Sequence, residues 1–274
     1  MLLTYSSLSM KPRIFRKLTG VSLTEFKLLC DKIRPKAQPL FKTTGRPPVL
    51  ATLEDKLTLL LIYYRTYATH EFLGYFVGLD NSNVCRLFRK LEPLVARIIH
   101  IKKDRTLTND KIEVLLLDVT EQPIQRPKHK GDRKKYYSGK KKRHTQKVEL
   151  VMARSGKIIH VSHSNPGRKH DFRIRKESDA LPKDPPKYAD LGYQGLSNIC
   201  NNVLLPFKKP KAGKLTPEQK NHNKAHSQIR IAVEHKFAEL KKFRILAEIY
   251  RNFRKKHHLR FNIIAGIVNI QNGF

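Results

Sequence analysis

Residues 111–123, Lys-Ile-Glu-Val-Leu-Leu-Leu-Asp-Val-Thr-Glu-Gln-Pro, place four consecutive apolar side chains, Val114 to Leu117, directly before one carboxylate, Asp118. The run is too short for a typical helix and apolar enough for a buried central strand, so a strand over Glu113 to Thr120 is expected. An acid at the end of such a strand is held rigidly. Burying it unpaired costs several kcal/mol, so it must be paired, protonated or bound to a metal.

Working outward, two further acids stand in related settings. Asp190 lies in Lys187-Tyr-Ala-Asp-Leu-Gly-Tyr-Gln-Gly195, where a short strand ends and glycines allow the backbone to turn tightly. Glu234 lies on a long helix, Thr216 to Phe243, on which Ile231, Phe237, Leu240 and Phe243 suggest a core-facing stripe. Glu234 is three residues from Ile231 and from Phe237, which places it on the same side. An inward acid needs a partner. Three carboxylates meeting at one point suit magnesium or manganese, hard cations that take oxygen ligands and keep waters for substrate. Taken singly, each acid has the commoner reading of an N-cap or a surface salt bridge.

The chain has 274 residues, room for one sizeable core and a second small one. Two domains are expected, a helical part over 1–110 and a mixed α/β part over 111–274. Lys and Arg number 56 against 23 Asp and Glu, a formal charge of +33. Such an excess attracts polyanions, chiefly nucleic acid. An RNA-coating protein fits the charge equally, so charge selects a partner class and no chemistry. Cys30, Cys85 and Cys200 are far apart, which argues against a disulfide framework and a zinc finger and fits a reducing compartment. The N-terminus lacks a signal-peptide apolar region, and no window approaches the roughly 18 apolar residues of a membrane span. A soluble cytoplasmic protein is expected, nucleoid-associated when bound to DNA.

In the first part, apolar spacing predicts a helix over Leu18 to Ile33 closed by Pro35, then a connector over Lys36 to Val49 punctuated by Pro39, Gly45, Pro47 and Pro48. Thr52 is the expected N-cap of a helix over Leu53 to Tyr67. A short helix over His70 to Val77, a Gly-containing turn and a helix over Ser82 to Ile99 follow in the order a helix-turn-helix requires. Asn81, Ser82, Asn83, Arg86 and Arg89 are then the candidate base readers. A plain helical hairpin gives the same pattern.

In the second part, strands are expected at Glu113–Thr120, His144–Arg154, Lys157–Ser164, Lys187–Asp190 and Val203–Phe207, with helices at Asp171–Glu177 and Thr216–Phe243. That order implies a mixed sheet covered by helices. An apolar C-terminal helix, Leu259 to Ile270, is expected to pack on its core. Between the first two strands a basic hairpin, Arg126 to Lys147, carries Lys134, Lys135, Lys140, Lys141, Lys142 and Arg143 with Tyr136, Tyr137 and His144 interleaved. Cations neutralise phosphates and rings stack on unpaired bases; a solvated loop is the competing reading. Asp171 reads most simply as a helix cap, and His144, His170 and His235 as phosphate contacts.

At these residues the chain resembles the DDE transposases of bacterial insertion sequences, in the insertion-sequence-five branch. The resemblance is carried, in order, by Leu116-Leu-Asp-Val-Thr-Glu-Gln-Pro-Ile-Gln-Arg-Pro127, Tyr137-Ser-Gly-Lys-Lys-Lys-Arg-His-Thr145, Pro166-Gly-Arg-Lys-His-Asp171, Asp190-Leu-Gly-Tyr-Gln-Gly195 and Arg230-x-x-x-Glu234. It spans Glu113 to about Leu246, and the N-terminal helices resemble the helix-turn-helix that precedes this catalytic domain.

The resemblance implies a ribonuclease-H-like fold, magnesium or manganese dependence, and DNA cleavage with strand transfer at inverted repeats. It assigns Asp118, Asp190 and Glu234 to the acidic triad. Arg230 and Lys241 match the Tyr-x-x-Arg-x-x-x-Glu-x-x-x-x-x-x-Lys pattern, with Ser227 in place of its tyrosine. The implied partners are double-stranded DNA, both transposon ends and target, and a second copy in a homodimer. Two other readings remain open on the same residues: a non-catalytic, sequence-specific DNA-binding protein on this scaffold, and a basic RNA-binding protein.

Overall fold

The structure is a computed structural model that describes residues 3–37, 47–99, 101, 113–178 and 180–274. Pro39, Gly45, Lys111 and the expected 110/111 boundary lie outside the described residues. The chain forms two compact units, and the first is discontinuous: residues 1–100, 240–248 and 259–274.

This helical unit contains α1 (Tyr5–Ser9), α2 (Pro12–Thr19), α3 (Leu23–Ala37), α4 (Leu53–Thr66), α5 (His70–Val77) and α6 (Asn81–Ile99). The single helix expected over Leu18–Ile33 is in fact two. Gly20, at φ +83°, ends α2, and Ser22 and Glu25 form a reciprocal capping box that starts α3: Glu25 N–H donates to Ser22 Oγ at 3.2 Å and Ser22 N–H to Glu25 Oε2 at 2.7 Å. Pro35 lies inside the last turn of α3 instead of closing it. Thr52 caps α4 as expected, accepting from Asp55 N–H at 3.1 Å. Nearly every side chain of α4 from Leu57 to Tyr64 is buried, so the other helices are arranged around it.

The C-terminal helix α10 (His257–Gln271) corrects an expectation. From Leu259 onward it groups with these helices rather than with the sheet. At Gly266 a Cβ would stand 1.7 Å from the Ile99 carbonyl oxygen, so only glycine permits this approach to α6. Across the contact Arg260 Nε donates to Glu92 Oε1 at 2.6 Å, with both side chains buried.

The second unit, residues 101–239 and 249–258, holds the sheet. Its strands are β1 (Leu115–Pro123), β2 (Tyr137–Ser138), β3 (Arg143–Ala153), β4 (Ile158–Val161), β5 (Asn165–Pro166), β6 (Lys187–Tyr188) and β7 (Val203–Leu204), and its helices α7 (Lys130–Tyr136), α8 (Asp171–Lys176) and α9 (Pro217–Lys241). The order is β2-β3-β1-β6-β7, with β4 and β5 also on β3. β1 runs antiparallel to β3 and parallel to β6, and β6 runs parallel to β7. The mixed, helix-flanked sheet is therefore as expected. The basic hairpin differs: its first half forms α7, and only Tyr137 to His144 makes a tight turn back into the sheet.

β1 is longer than predicted, and Asp118 lies in its middle rather than at its end. Pairing with β3 continues to Pro123↔Thr145, whereas pairing with β6 stops at Leu116↔Tyr188. A long strand beside a two-residue one leaves a notch in the sheet immediately after Leu116 and Tyr188.

Candidate active site

Asp118 and Asp190 both open onto that notch. Leu115 pairs with Lys187 and Leu116 with Tyr188, so each acid stands two residues past the last pair on neighbouring parallel strands. Continuing the register puts them side by side at about the 4.8 Å spacing of adjacent strands. Asp190 also starts a 3₁₀ turn, Leu191–Tyr193, in which its Oδ1 accepts Gly192 N–H at 2.9 Å. Its second oxygen has no partner among the described residues.

Asp171, read from sequence as a cap, joins them. It is the first residue of α8, and Lys147 Nζ donates to its Oδ1 at 3.0 Å. A Cβ on Gly192 would meet Asp171 Oδ2 at 2.7 Å and Asp190 Oδ1 at 3.0 Å, so the two carboxylates converge on the one residue that has no side chain. Glycine is required there by space, not by backbone angle.

Burial pushes the Asp118 carboxyl up to about 6, and the negative charges of Asp190 and Asp171 push the same way. Arg230 and the Val119 N–H oppose the rise. Arg230 Nη2 stands 3.1 Å from Asp118 Oδ2, and Val119 N–H donates to Oδ1 at 2.8 Å. Arg230 lies on α9, the helix expected to carry the third acid.

Glu234 itself is exposed, which corrects the predicted inward stripe. Ile231 is 42% exposed, and the buried side of α9 is formed by Val233, Lys236, Phe237 and Leu240. The apolar period runs through Val233, not Ile231, and that turns Glu234 outward. It follows Arg230 by one turn, about 6 Å along the axis, on the side of the helix whose guanidinium reaches Asp118. Lys241, His235 and Ser227 are exposed on the same helix.

A buried network that the sequence did not disclose ties the acid-bearing segments together. Glu149 on β3 is fully buried and accepts from Arg175 Nη1 of α8 at 2.8 Å and from Tyr193 OH of the Asp190 turn at 3.0 Å. One carboxylate thus fixes both the helix that begins at Asp171 and the turn that begins at Asp190. Burial pushes Glu149 up to about 7 against the pull of Arg175. A Glu in an alternating strand reads as a solvent-facing residue, so nothing local signals this role.

The donor set fits a hard divalent cation in an open site. Asp118 and Asp190 offer carboxylate oxygens at one notch, and like-charge repulsion is what a cation there would offset. Among the described residues no group of three His, Cys, Asp or Glu side chains is placed to hold a metal ion. Magnesium does not demand one, since it is bound through one or two carboxylates with waters and substrate oxygens completing the shell.

In the helical unit the predicted reader residues Asn81, Ser82, Asn83, Arg86 and Arg89 are all exposed on the first turns of α6, while Val84, Phe88, Leu91 and Val95 are buried behind them. Gly78, at φ +69°, ends α5, and Asp80 accepts Ser82 N–H at 2.8 Å. Gly74 lets this turn close: a Cβ there would lie 2.2 Å from the Leu79 carbonyl oxygen. Lys134 and Lys135 are exposed on α7, as are Lys140 to Lys142 in the turn before β3 and Arg143 at its start.

Comparison with known proteins matches both parts. Residues 117–270 match the family model described as DDE superfamily endonuclease, and residues 48–99 match the helix-turn-helix of DDE superfamily endonuclease. The chain belongs to this family, and its helix-flanked mixed sheet is of the ribonuclease-H-like type. It is 37% identical over 265 residues, 94% of each chain, to a probable transposase for insertion sequence element IS702 of Microchaete diplosiphon. It is 27% identical over 257 residues, covering 92% of this chain and 93% of the relative, to a putative transposase for insertion sequence element IS112 of Streptomyces albus G. No solved structure matches the chain. Among the described residues no helix is long and apolar enough to cross a membrane.

Proposed function

We propose that this transposase cuts DNA at the inverted repeats of its element and joins the ends to a target, with Asp118, Asp190 and Glu234 holding magnesium or manganese. The observation that carries the reading is the placement of Asp118 and Asp190 at matching positions on two parallel strands, facing a notch that Arg230 borders. Bound there, a divalent cation would activate water or a 3′ hydroxyl and stabilise the leaving oxygen of an in-line phosphoryl displacement.

The chain's own groups prepare the site. The Gly192 N–H orients the Asp190 carboxylate, and the Val119 N–H does the same for Asp118. Arg230 neutralises Asp118 and is placed to meet a phosphate once that carboxylate has another partner. Glu234, one turn along, is the candidate to complete the set when DNA lies across α9. Asp171 is held away from this role by Lys147, which makes it a charge neighbour that raises Asp118 rather than a third ligand. Asn81, Ser82, Asn83, Arg86 and Arg89 would recognise the ends through the major groove, and a homodimer would bring two ends together.

Nicking of a duplex carrying the element's end tests this. The purified protein should nick in magnesium or manganese, and Asp118→Asn should abolish nicking while leaving binding in place. Metal-independent binding with no cutting by the wild type would instead mark a non-catalytic DNA-binding protein.

A further inference from the structure

We propose that a cationic groove between α7 and the Pro166–His170 turn grips DNA of arbitrary sequence, the flanking or target DNA outside the element's own ends. This deepens the reading above and rests on it only for the name of the DNA. The groove has a volume of about 770 Å³. Lys130, Lys134 and Lys135 line one wall, and Arg168, Lys169 and Arg173 the other. Glu177 is the single acid on its lining and is already engaged by Lys169 and Arg173. Lys130, Lys134, Lys135 and Arg168 have no carboxylate partner among the described residues, so four cations repel one another across a small open space.

The walls are built, not incidental. At Gly167 a Cβ would stand 2.0 Å from Thr145 Oγ1 and 2.9 Å from the Tyr136 carbonyl oxygen, so glycine lets the turn press against the end of α7. Arg168 N–H donates to the Lys135 carbonyl at 3.4 Å, joining the walls. From the far side Arg254 pairs with Asp132 at 2.9 Å and covers the Tyr136 ring, so α7 is braced. Folding has therefore fixed the backbone that carries these cations before any ligand arrives.

The lining also says what kind of DNA fits. It contains no Asn or Gln to form paired hydrogen bonds with adenine and no ring other than His170 to stack on a base. A lining made of lysines and arginines suits phosphate oxygens, which take half or more of protein–DNA hydrogen bonds and position a duplex without carrying sequence information. The exposed Asn81, Asn83 and Arg86 of α6 have the opposite character. His170, on the groove's lining, is the residue before Asp171, so the groove adjoins the acid-bearing start of α8. DNA flanking an element varies from one insertion to the next, and a grip on phosphates tolerates that variation.

The test measures binding by the full-length protein without metal, using one duplex that carries the element's terminal repeat and one of random sequence. In K134A/K135A/R168A both affinities should fall about tenfold or more near 0.15 M salt, with the preference for the repeat unchanged within about twofold. The slope of log K against log salt should flatten by about 2 to 3. K27A/K32A/K36A, which removes the same charge from exposed positions on α3 that do not line the groove, should lose less than about threefold. Equal losses in the two triple variants, an unchanged salt slope, or a loss confined to the repeat duplex would overturn the proposal. Because no metal is present, a failure to nick leaves this result standing, and the reverse also holds.

Discussion

Each unit contains a carboxylate against a guanidinium, and the two pairs behave differently. Glu92 and Arg260, 2.6 Å apart in the helical unit, are 0% and 5% exposed, and Tyr64 OH adds a bond to the same Glu92 oxygen. Asp118 and Arg230, 3.1 Å apart in the sheet unit, are 19% and 14% exposed, and Asp118 has two further acids near it. The first acid is sealed among its partners and holds helices together. The second stands at the notch, where burial and then the like charges of Asp190 and Asp171 oppose its ionisation. The two acids differ in their neighbours: Arg260 and the Tyr64 hydroxyl meet Glu92, whereas Asp118 has two other carboxylates beside its arginine.

The largest effect that sharpens this contrast is on activity. Asp118→Asn should reduce metal-dependent nicking by a thousandfold or more, as removal of a group that acts with the metal generally does. Its stability should change by no more than about 1 kcal/mol, because the neutral amide avoids the burial of a charge. Next, Glu92→Ala should lower stability by about 3 to 5 kcal/mol by stranding buried Arg260, a fall in Tm of roughly 10 °C, with the activity of the remaining folded protein retained. Calorimetry beside the nicking assay decides both, and a Glu92 variant with normal Tm would break the comparison.

Glu149 provides a pH-dependent intermediate case. Its folded carboxyl is raised from 4.5 to about 7, so between those values the native state holds a proton the unfolded chain has lost. Stability should therefore fall as pH rises from about 4.5 to 7 and level off above it. Glu149→Gln should flatten that slope in Tm measured across the window. The smallest expected effect is at the reading helix. Arg86→Ala should weaken binding to the element's end by about 1 to 3 kcal/mol and relax sequence preference without changing single-turnover nicking of bound DNA.

The organisation of the sheet unit was legible because its signals are local. Four apolar residues before Asp118 and the glycine-rich turn after Asp190 mark both strands without knowledge of their partners. The boundaries of the site were less legible, for physical reasons. β1 runs past Asp118 because β3 pairs with it to Pro123, and a strand's end is set by its partner's length. Ile231 sits at a spacing that mimics a core stripe with Phe237 and Leu240, whereas the buried side runs through Val233 and leaves Glu234 outside. The Ser22–Glu25 capping box is legible in the sequence and marks the break between α2 and α3. The Glu149 network and the approach of α10 to Ile99 depend on residues more than twenty positions apart, which no periodicity encodes.

The central claim is that the notch between β1 and β6 takes a divalent cation. Anomalous diffraction from crystals of the protein with end DNA and manganese measures this directly. The account predicts a manganese peak within about 2.0 to 2.3 Å of oxygens from both Asp118 and Asp190, with Arg230 moved off Asp118 Oδ2. Manganese bound elsewhere, or a notch still closed by the Asp118–Arg230 pair with DNA in place, would contradict it.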